Sequence, residues 1–350
     1  MTKYLFLFFI LFISNILDAQ TNYGSPDNSY LPDDVGFYKN HGASYTNSLS
    51  SGVSDFHIHP DGKITVSGSY GFYDGYNKPH VVRLNPDLSV DPGFRMNFGI
   101  ASGSWTGLLL SEVQSTGKVI IGGKFNFYQS SSSQWHNLAR LNTSGFVDTY
   151  SLGSGNKQIS NAGNAGTNDD VTDMALQSDD KVIVAGRFTT FAGSSANHIV
   201  RINVNGGRDN SFNVGSGITS SFISSYINRV KIMADGKLIV AGQFTSWNNL
   251  PYKNIVRLNS NGSLDTTFQP GLGPAGMIEA IHELPNGKIA IGGSFTSYNG
   301  IYCPGFCILN PDGTFDNSFS PGSGFLGTVK TICADTNNIY VGGSFTSYNG

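Results

Sequence analysis

The sequence predicts an all-β protein, a β-propeller with six recognisable four-stranded blades, the last of which is incomplete at Gly350. Three observations lead to this prediction. An eight-residue segment returns six times, at spacings of 50 to 63 residues. Apolar and polar residues alternate around each copy, and Asp-Gly or Asn-Gly turns separate the alternating runs, as in hairpins. Glycine (44 residues) and aromatic residues (12%) are abundant, which favours short strands and tight turns over long helices.

The recurring segment is a strand that ends in glycine and then, one residue later, has Phe or Tyr. Each copy follows a turn and a short alternating run. After it come a loop, a third strand typified by IVRLN, a second turn and a short final strand. Four antiparallel strands in about 50–60 residues make one propeller blade. The six copies are KITVSGSY (63–70), KVIIGGKF (118–125), KVIVAGRF (181–188), KLIVAGQF (237–244), KIAIGGSF (288–295) and NIYVGGSF (338–345).

Four pairs of opposite charges support this register. An Arg in the third strand is followed eight residues later by an Asp. Positions i and i+8 of a tight hairpin lie opposite one another, where opposite charges attract, so we interpret the pairs as structural. The fifth copy keeps Asp316 but has Ile308 in place of Arg, which indicates that the Asp also caps a turn or accepts backbone N–H groups. The pairs are Arg83–Asp91, Arg140–Asp148, Arg201–Asp209 and Arg257–Asp265.

The first nineteen residues have the pattern of a secretory signal peptide. Lys3 gives a short positive start, an apolar run follows over residues 4–16, and Ala19 offers a small residue for cleavage. The run is shorter than the ~20 apolar residues that span a membrane. We therefore expect residues 1–19 to be removed and residues 20–350 to form a propeller that is secreted or displayed on the cell surface, with no membrane span.

The two ends of the chain predict how the propeller closes. The segment DVGF (34–37) matches DPGF (91–94), the end of the first complete unit. A propeller commonly closes by completing one blade with strands from both chain ends, so we expect the N-terminal strand to complete the sixth blade. That blade has no IVRLN-like strand before Gly350, and we expect the natural chain to continue.

The consensus DGKIxVGGxF…RLNxDGSLDxxF resembles the delta-60 repeat of secreted bacterial proteins, over residues 34–350. The resemblance implies a β-propeller. It implies no activity and no catalytic residues, because that family has no established function. The sequence departs from the repeat pattern at Asn338, at Ile308 and in a longer linker over 154–170.

Composition and motifs exclude several function classes. The formal net charge is −3, and the charged residues (13%) form no basic patch, so no nucleic-acid partner is expected. Two stretches fit G-x-G-x-x-G, at 271–276 and 322–327. A pyrophosphate site needs a strand before that motif and a helix after it, so we interpret both as turns. The sequence has no Ser-His-Asp arrangement, nucleophile elbow or P-loop, and no catalytic residue is predicted.

A set of aromatic residues, one per copy, is the candidate ligand-binding site. Each follows the Phe or Tyr of its copy by three residues, in the loop before the third strand, so all should lie on one rim. Exposed rings there could stack on a glycan or contact a protein. The alternative is that each ring fills the junction between adjacent blades. The six residues are Tyr73, Tyr128, Phe191, Trp247, Tyr298 and Tyr348.

Metal and cysteine patterns add little. Asp169, Asp170 and Asp173 are candidates for calcium, which favours closely spaced carboxylates, but no EF-hand spacing is present and no other cofactor is expected. His57 and His59 would share one face of a strand and could chelate a metal with Asp55 or Asp61, but no further ligand from elsewhere in the sequence joins them. Among the three cysteines, Cys303 and Cys307 either form a local bridge that leaves Cys333 unpaired, or all three stay unbridged.

These observations together favour a secreted, non-catalytic β-propeller that binds a glycan or a protein. One alternative is a polysaccharide-active hydrolase or lyase on the same scaffold, which would need carboxylates from different blades to converge with a His or Arg. The other is a structural repeat segment of a larger secreted protein.

Overall fold

The computed structural model describes residues 37–38, 52–70, 72–73, 76–77, 80–96, 99–100, 109–130, 133–148, 166–219 and 224–350. The predicted signal peptide lies outside these ranges. The described residues are all β, as predicted, and their antiparallel sheets follow one another along the chain as in a β-propeller. They include no helix that is long and apolar enough to cross a membrane.

Twenty-five strands are assigned in the described residues. The first half of the chain holds β1 (Phe37–Tyr38), β2 (Val53–Ile58), β3 (Ile64–Gly68), β4 (Phe72–Tyr73), β5 (Tyr76–Asn77), β6 (Val81–Leu84), β7 (Gly99–Ile100), β8 (Leu109–Val113), β9 (Val119–Ser130), β10 (Ser133–Leu141), β11 (Val171–Leu176) and β12 (Val182–Gly186). The second half holds β13 (Thr190–Phe191), β14 (Ser194–Ser195), β15 (Ile199–Ile202), β16 (Tyr226–Ile232), β17 (Leu238–Gln243), β18 (Ile255–Leu258), β19 (Ile278–Glu283), β20 (Ile289–Gly293), β21 (Ser297–Tyr298), β22 (Ile301–Tyr302), β23 (Phe306–Leu309), β24 (Phe325–Ala334) and β25 (Ile339–Tyr348).

Each copy of the repeat forms one antiparallel sheet. In the first five sheets the recurring segment is the middle strand, and in the sixth it is one of two strands. The sheets are β2–β3–β6, β8–β9–β10, β11–β12–β15, β16–β17–β18, β19–β20–β23 and the pair β24–β25. In the fourth unit, for example, Val240 lies opposite Val230 on one side and Val256 on the other. The predicted fourth strand is shorter than expected, since in this unit a single bridge, Leu258↔Leu264, takes its place. The blade count of six stays a prediction.

A close contact within each sheet explains the recurring glycine. At Gly242, a Cβ atom would lie 2.1 Å from the Tyr226 carbonyl oxygen of the neighbouring strand. Gly68, Gly186 and Gly293 stand at the same position, with corresponding distances of 2.0–2.3 Å. The first strand bulges at this point, as the register shift between Ile227 and Arg229 shows. Any side chain would push the two strands apart, so only glycine is compatible with the bulge.

Consecutive sheets are joined by apolar packing and by hydrogen bonds at the bulges. Ile183 and Ala185 of the third unit share a buried cluster with Ile227 and Trp247 of the fourth. The bulged residue of one unit bonds to the first strand of the next: Asn228 Nδ2 donates to the Ile278 carbonyl oxygen over 2.9 Å. The packed face of each sheet therefore needs its neighbour, as repeat architectures require.

The linker from one unit runs along the next one. The Asn213 N–H donates to the Asn261 carbonyl oxygen over 2.8 Å, and farther along the same linker Ile218 bridges to Trp247. In the first unit, β1 takes this place, because Phe37 pairs with Tyr73. The expectation that the N-terminal strand completes the sixth blade stays a prediction, since residues 34–36 lie outside the described residues.

Candidate functional site

The predicted ring of exposed aromatic side chains is largely buried. Tyr73, Phe191, Trp247 and Tyr298 lie in the core of the protein, whereas Tyr348 is exposed. Tyr128 belongs to β9, but its side chain is outside the described residues. The prediction that these rings form an accessible rim is therefore wrong at four of the six positions.

The linkers are the physical reason for this burial. Each linker pairs with the loop that carries the ring, as in the bridges Ile218↔Trp247 and Pro274↔Tyr298, and so closes over it. The Tyr298 hydroxyl donates to the Gly313 carbonyl oxygen over 2.7 Å, which fixes the ring against the second turn of its own unit. These rings fill the junctions of the propeller. A role of the six residues in binding stays an untested prediction.

The predicted Arg–Asp pairs are present, and a lysine joins each of them. The Nε–Oδ2 distances are 2.7 Å for Arg83–Asp91, 3.1 Å for Arg140–Asp148, 2.8 Å for Arg201–Asp209 and 2.7 Å for Arg257–Asp265. The third member is the Lys that opens the recurring segment, at Lys63, Lys118, Lys181 and Lys237, and in the fifth unit Lys288 contacts Asp316 without an Arg; the five Nζ–Oδ2 distances are 2.6–3.2 Å. The sequence did not lead us to predict this contact, although a Lys opens five of the six recurring segments.

The surroundings of Asp91, Asp209, Asp265 and Asp316 lower their pKa values and keep them ionised. Burial alone would raise the pKa of Asp91, but hydrogen bonds from Lys63, the Gly93 N–H and Arg83 outweigh it and lower the pKa to about 2. The Arg side chain also reaches the next unit: Arg201 Nη1 donates to the Ser260 carbonyl oxygen over 2.6 Å. Its guanidinium lies 5.0 Å from the Phe212 ring centroid. These charged side chains therefore hold neighbouring strands and consecutive units together.

The metal candidates do not share a site. Asp170 lies 3.4 Å from Lys124 Nζ, and Asp173 accepts the Val230 N–H over 2.7 Å. His59 bonds to Thr65 Oγ1 over 2.7 Å, away from His57. In the part of the chain that the structure describes, no group of three His, Cys, Asp or Glu side chains is arranged to hold a metal ion. Calcium binding stays untested.

The first strands of the first two sheets bring two carboxylates and an imidazole together, and the sequence did not predict that Glu112 joins Asp55 and His57. We call Asp55, His57 and Glu112 the inner-strand cluster. Asp55 Oδ2 lies 3.3 Å from His57 Nε2, and Glu112 Oε2 lies 3.9 Å from His57 Nδ1. Asp55 also accepts the Ser111 N–H over 3.1 Å, which ties the first sheet to the second.

The pKa values of His57 and Glu112 in the inner-strand cluster are strongly shifted. Burial alone would lower the pKa of His57, but the hydrogen bond and charge of Asp55 and the charge of Glu112 raise it to about 9. Burial raises the pKa of Glu112 to about 7 against the effect of His57. A carboxyl group with that pKa can both donate and accept a proton near neutral pH. Because Asp55 and Glu112 come from different units, no local sequence motif indicates that they lie close together.

A second feature is a row of exposed apolar side chains along the fourth, fifth and sixth units. Leu272 is 72% exposed, Tyr302 64% and Leu326 70%, and Leu250 and Ile301 are also exposed. We call these five residues the apolar band. Its members alternate between loops and the linkers that cover them. The Leu272 N–H donates to Asn299 Oδ1 over 3.0 Å, which places this linker beside the loop that carries Ile301 and Tyr302.

The apolar band continues on both sides of that contact. A Cβ at Gly273 would lie 2.3 Å from the Lys253 carbonyl oxygen, so the linker also touches the loop that carries Leu250. The Phe325 N–H donates to the Pro304 carbonyl oxygen over 3.0 Å, which sets Leu326 beside the same fifth-unit loop. A cavity of about 280 Å³ opens next to Leu250, lined also by Tyr252, Phe268 and Pro270.

Solved structures with a similar fold come from several bacterial proteins. A Bacteroides caccae protein of unknown function is 11% identical over 63% of this chain and 68% of its own, with a TM-score of 0.32. The extracellular domain of Bacteroides thetaiotaomicron BT4673 is 15% identical over 89% of this chain and 39% of its own, with a TM-score of 0.43. Virginiamycin B lyase from Staphylococcus aureus is 12% identical over 84% of this chain and 92% of its own, with a TM-score of 0.37.

No curated protein matches the chain. A family model does, at residues 59–94, 114–149, 177–212, 234–268 and 284–319. Each stretch begins near the first turn of a unit and ends one to three residues after the Asp that contacts the lysine. The matched segment is therefore the repeat described above. Together the five stretches exceed half of the sequence. The delta-60 name given to the repeat is not tested by this match. The chain belongs to the family described as "Domain of unknown function (DUF5122) beta-propeller".

Proposed function

We propose that the protein is a secreted, non-catalytic binding propeller and that the apolar band is its contact surface for a protein ligand. The observation that carries the proposal is the exposure of five large apolar side chains on adjoining loops and linkers of three consecutive units. Scattered exposed leucines are ordinary, but a contiguous apolar patch is typical of an interaction site.

The variation between units supports a specific role for the band. The third-unit hairpin β13–β14 corresponds to β21–β22 in the fifth unit, and it exposes Ser194 and Ser195 where the fifth exposes Ile301 and Tyr302. The scaffold therefore does not require apolar side chains at these positions. Aliphatic groups dominate the band, which fits a protein surface better than a glycan, whose sites rely on aromatic stacking and hydrogen bonds.

Binding tests with matched variants can examine this proposal. The mature protein is applied to immobilised cell-surface proteins and to a glycan array, beside the triple variant Leu272→Ser, Tyr302→Ser and Leu326→Ser. Val204→Ser, an exposed apolar change in a turn outside the band, is the control. We expect saturable protein binding that the triple variant loses and the control retains. Binding unchanged by the triple variant, or binding to glycans alone, would contradict the proposal.

Export is a separate part of the proposal and rests on the N-terminal pattern. N-terminal sequencing of the protein recovered from the medium or cell surface should begin at Gln20. Retention of the full chain inside the cell would contradict it.

The inner-strand cluster favours a second candidate function, a polysaccharide-active hydrolase or lyase. Two carboxylates converge there with His57, and the pKa of Glu112, raised to about 7, suits a general acid or base. An assay of polysaccharide depolymerisation tests it. Glu112→Gln should abolish cleavage, while Glu283→Gln, a change outside the cluster, should not. No cleavage by the unaltered protein across neutral and acidic polysaccharides would remove this candidate.

A further inference from the structure

Cys303 and Cys307 meet inside the fifth unit. Both are fully buried and belong to the same core cluster. The Cys303 thiol donates to the Ile301 carbonyl oxygen over 3.4 Å and is close enough to Cys307 for that side chain to lower its pKa. Cys303 follows β22, whose residues are Ile301 and Tyr302, and Cys307 lies in β23. The sequence between them, Pro-Gly-Phe, is a tight reversal in which Gly305 has a φ of 76°.

Backbone contacts fix this reversal from one side. The Cys303 N–H donates to the Thr296 carbonyl oxygen over 3.1 Å, and the Gly305 N–H donates to the Phe295 carbonyl oxygen over 2.8 Å. The thiols are therefore held together by the fold. The Cys307 side chain lowers the pKa of the Cys303 thiol, whereas burial raises the pKa of the Cys307 thiol.

The third unit shows that the fold does not need two cysteines here. The Ala196 N–H donates to the Thr189 carbonyl oxygen, as the Cys303 N–H does to that of Thr296. Val200 pairs with Val184 at the register position where Cys307 pairs with Ile291. Alanine and valine thus fill the same two positions in a unit of the same architecture. The cysteines bring a chemistry that the third unit lacks.

We propose that Cys303 and Cys307 form a disulfide bond when the protein folds in an oxidising environment. The oxidant is a small disulfide such as oxidised glutathione. The Cys303 thiolate attacks one of its sulfur atoms, and a glutathione thiolate leaves. The Cys307 thiolate then attacks Cys303 Sγ, and a second glutathione leaves. Two protein thiols are oxidised, one glutathione disulfide is reduced to two thiols, and the two protons pass to the two leaving thiolates.

The bond would clamp the loop that carries Ile301 and Tyr302 to its own sheet. It does not depend on the proposed ligand. Cys333 is in β24, in another sheet, and would remain a thiol. The two strands of that sheet contain no second cysteine, so no partner for a bond lies beside it.

Thiol counting during refolding tests the proposal. The reduced, unfolded protein is refolded with a mixture of oxidised and reduced glutathione, quenched with acid, unfolded in denaturant and titrated for free thiols, and a second portion is alkylated in denaturant for mass spectrometry. We expect one thiol instead of three, a mass lower by two hydrogen atoms before alkylation, and a tryptic peptide with Cys303 linked to Cys307. The double variant Cys303→Ala, Cys307→Val, which copies the residues of the third unit, should fold and retain one thiol under all conditions.

Each other result would overturn the proposal. Three titratable thiols after refolding would show that the pair stays reduced. A linkage that includes Cys333, found by the same peptide analysis, would show that the pairing is wrong. A Cys333→Ser variant leaves only Cys303 and Cys307 to be counted. It should have no titratable thiol after oxidation and two in the presence of excess reductant.

Discussion

At the scale of single residues, the recurring glycine shows how a backbone contact dictates an amino acid. In Gly242→Ala the new Cβ would lie 2.1 Å from the Tyr226 carbonyl oxygen, and the two strands would have to separate. We expect the free energy of unfolding to fall by about 3 kcal/mol, at the upper end for overpacking. Urea unfolding measures it. Gly207→Ala, whose Cβ would meet only a side-chain oxygen at 3.3 Å, should cost much less, and equal losses would refute the explanation.

Trp247 shows the opposite case, a ring that the sequence suggested for binding and the structure buries. Its side chain is fully buried, and no partner is found for Nε1 among the described residues. Trp247→Ala should therefore cost about 3–5 kcal/mol of stability through the cavity that it leaves. Trp247→Phe should cost far less, because it keeps most of the ring and loses no hydrogen bond. If Trp247→Ala unfolds at the same urea concentration as the unaltered protein, the ring is not part of the core.

At the scale of elements, the charged triads connect strand, turn and neighbouring unit, and the fifth unit isolates one of their members. There Ile308 replaces the Arg, so Lys288 is the remaining cation on Asp316, at 2.6 Å. In the fourth unit, Asp265 has both Lys237 and Arg257. We expect Lys288→Met to cost about 2–3 kcal/mol, since it leaves a buried carboxylate without a cation. Lys237→Met should cost about 1 kcal/mol or less.

The comparison between the two lysines is made by urea unfolding near neutral pH. The difference should vanish when each lysine is removed in a background where the Asp is Asn, because no charge is then left unpaired. If both lysines cost the same in the unaltered background, the Arg does not share the charge of the Asp as the geometry indicates.

These elements also show how far the sequence can lead. The hairpins and the Arg–Asp pairs were predictable because their partners lie within eight residues of one another. The Lys partner lies 28 residues before its Asp, as for Lys237 and Asp265, and only its recurrence hints at the contact. The inner-strand cluster and the burial of Trp247 depend on how consecutive units pack. No local pattern encodes the approach of Glu112 to His57, or the linker that covers an aromatic ring.

At the scale of the whole molecule, the repeated carboxylates make stability depend on pH. The pKa of Asp91 is lowered to about 2, whereas an unfolded Asp titrates near about 3.9. The pKa values of Asp209 and Asp265 are shifted in the same direction, through bonds from serine or threonine, lysine and arginine that outweigh burial. A depressed pKa stabilises the folded protein above the unfolded pKa, and this contribution is lost as the pH falls towards the folded one. For Asp91 alone it amounts to roughly 2–3 kcal/mol at neutral pH.

Because Asp91, Asp209, Asp265 and Asp316 lie in four different units and all have lowered pKa values, acid should weaken several sheets over the same interval. We expect the urea midpoint to rise as the pH falls from 7 to 5, because the raised pKa of Glu112 makes proton uptake favour the folded protein, and to fall steeply between about pH 4 and 2, where the Asp carboxylates are protonated. The variant Asp91→Asn should start from a lower midpoint at pH 7 and fall less between pH 4 and 2, because one titrating group is gone. Asp87→Asn is the control, since Asp87 is exposed and bonds only within its own turn, to Ser89. A midpoint that stays unchanged down to pH 2, or an Asp91→Asn profile parallel to that of the unaltered protein, would show that the triads do not hold the units together through charge.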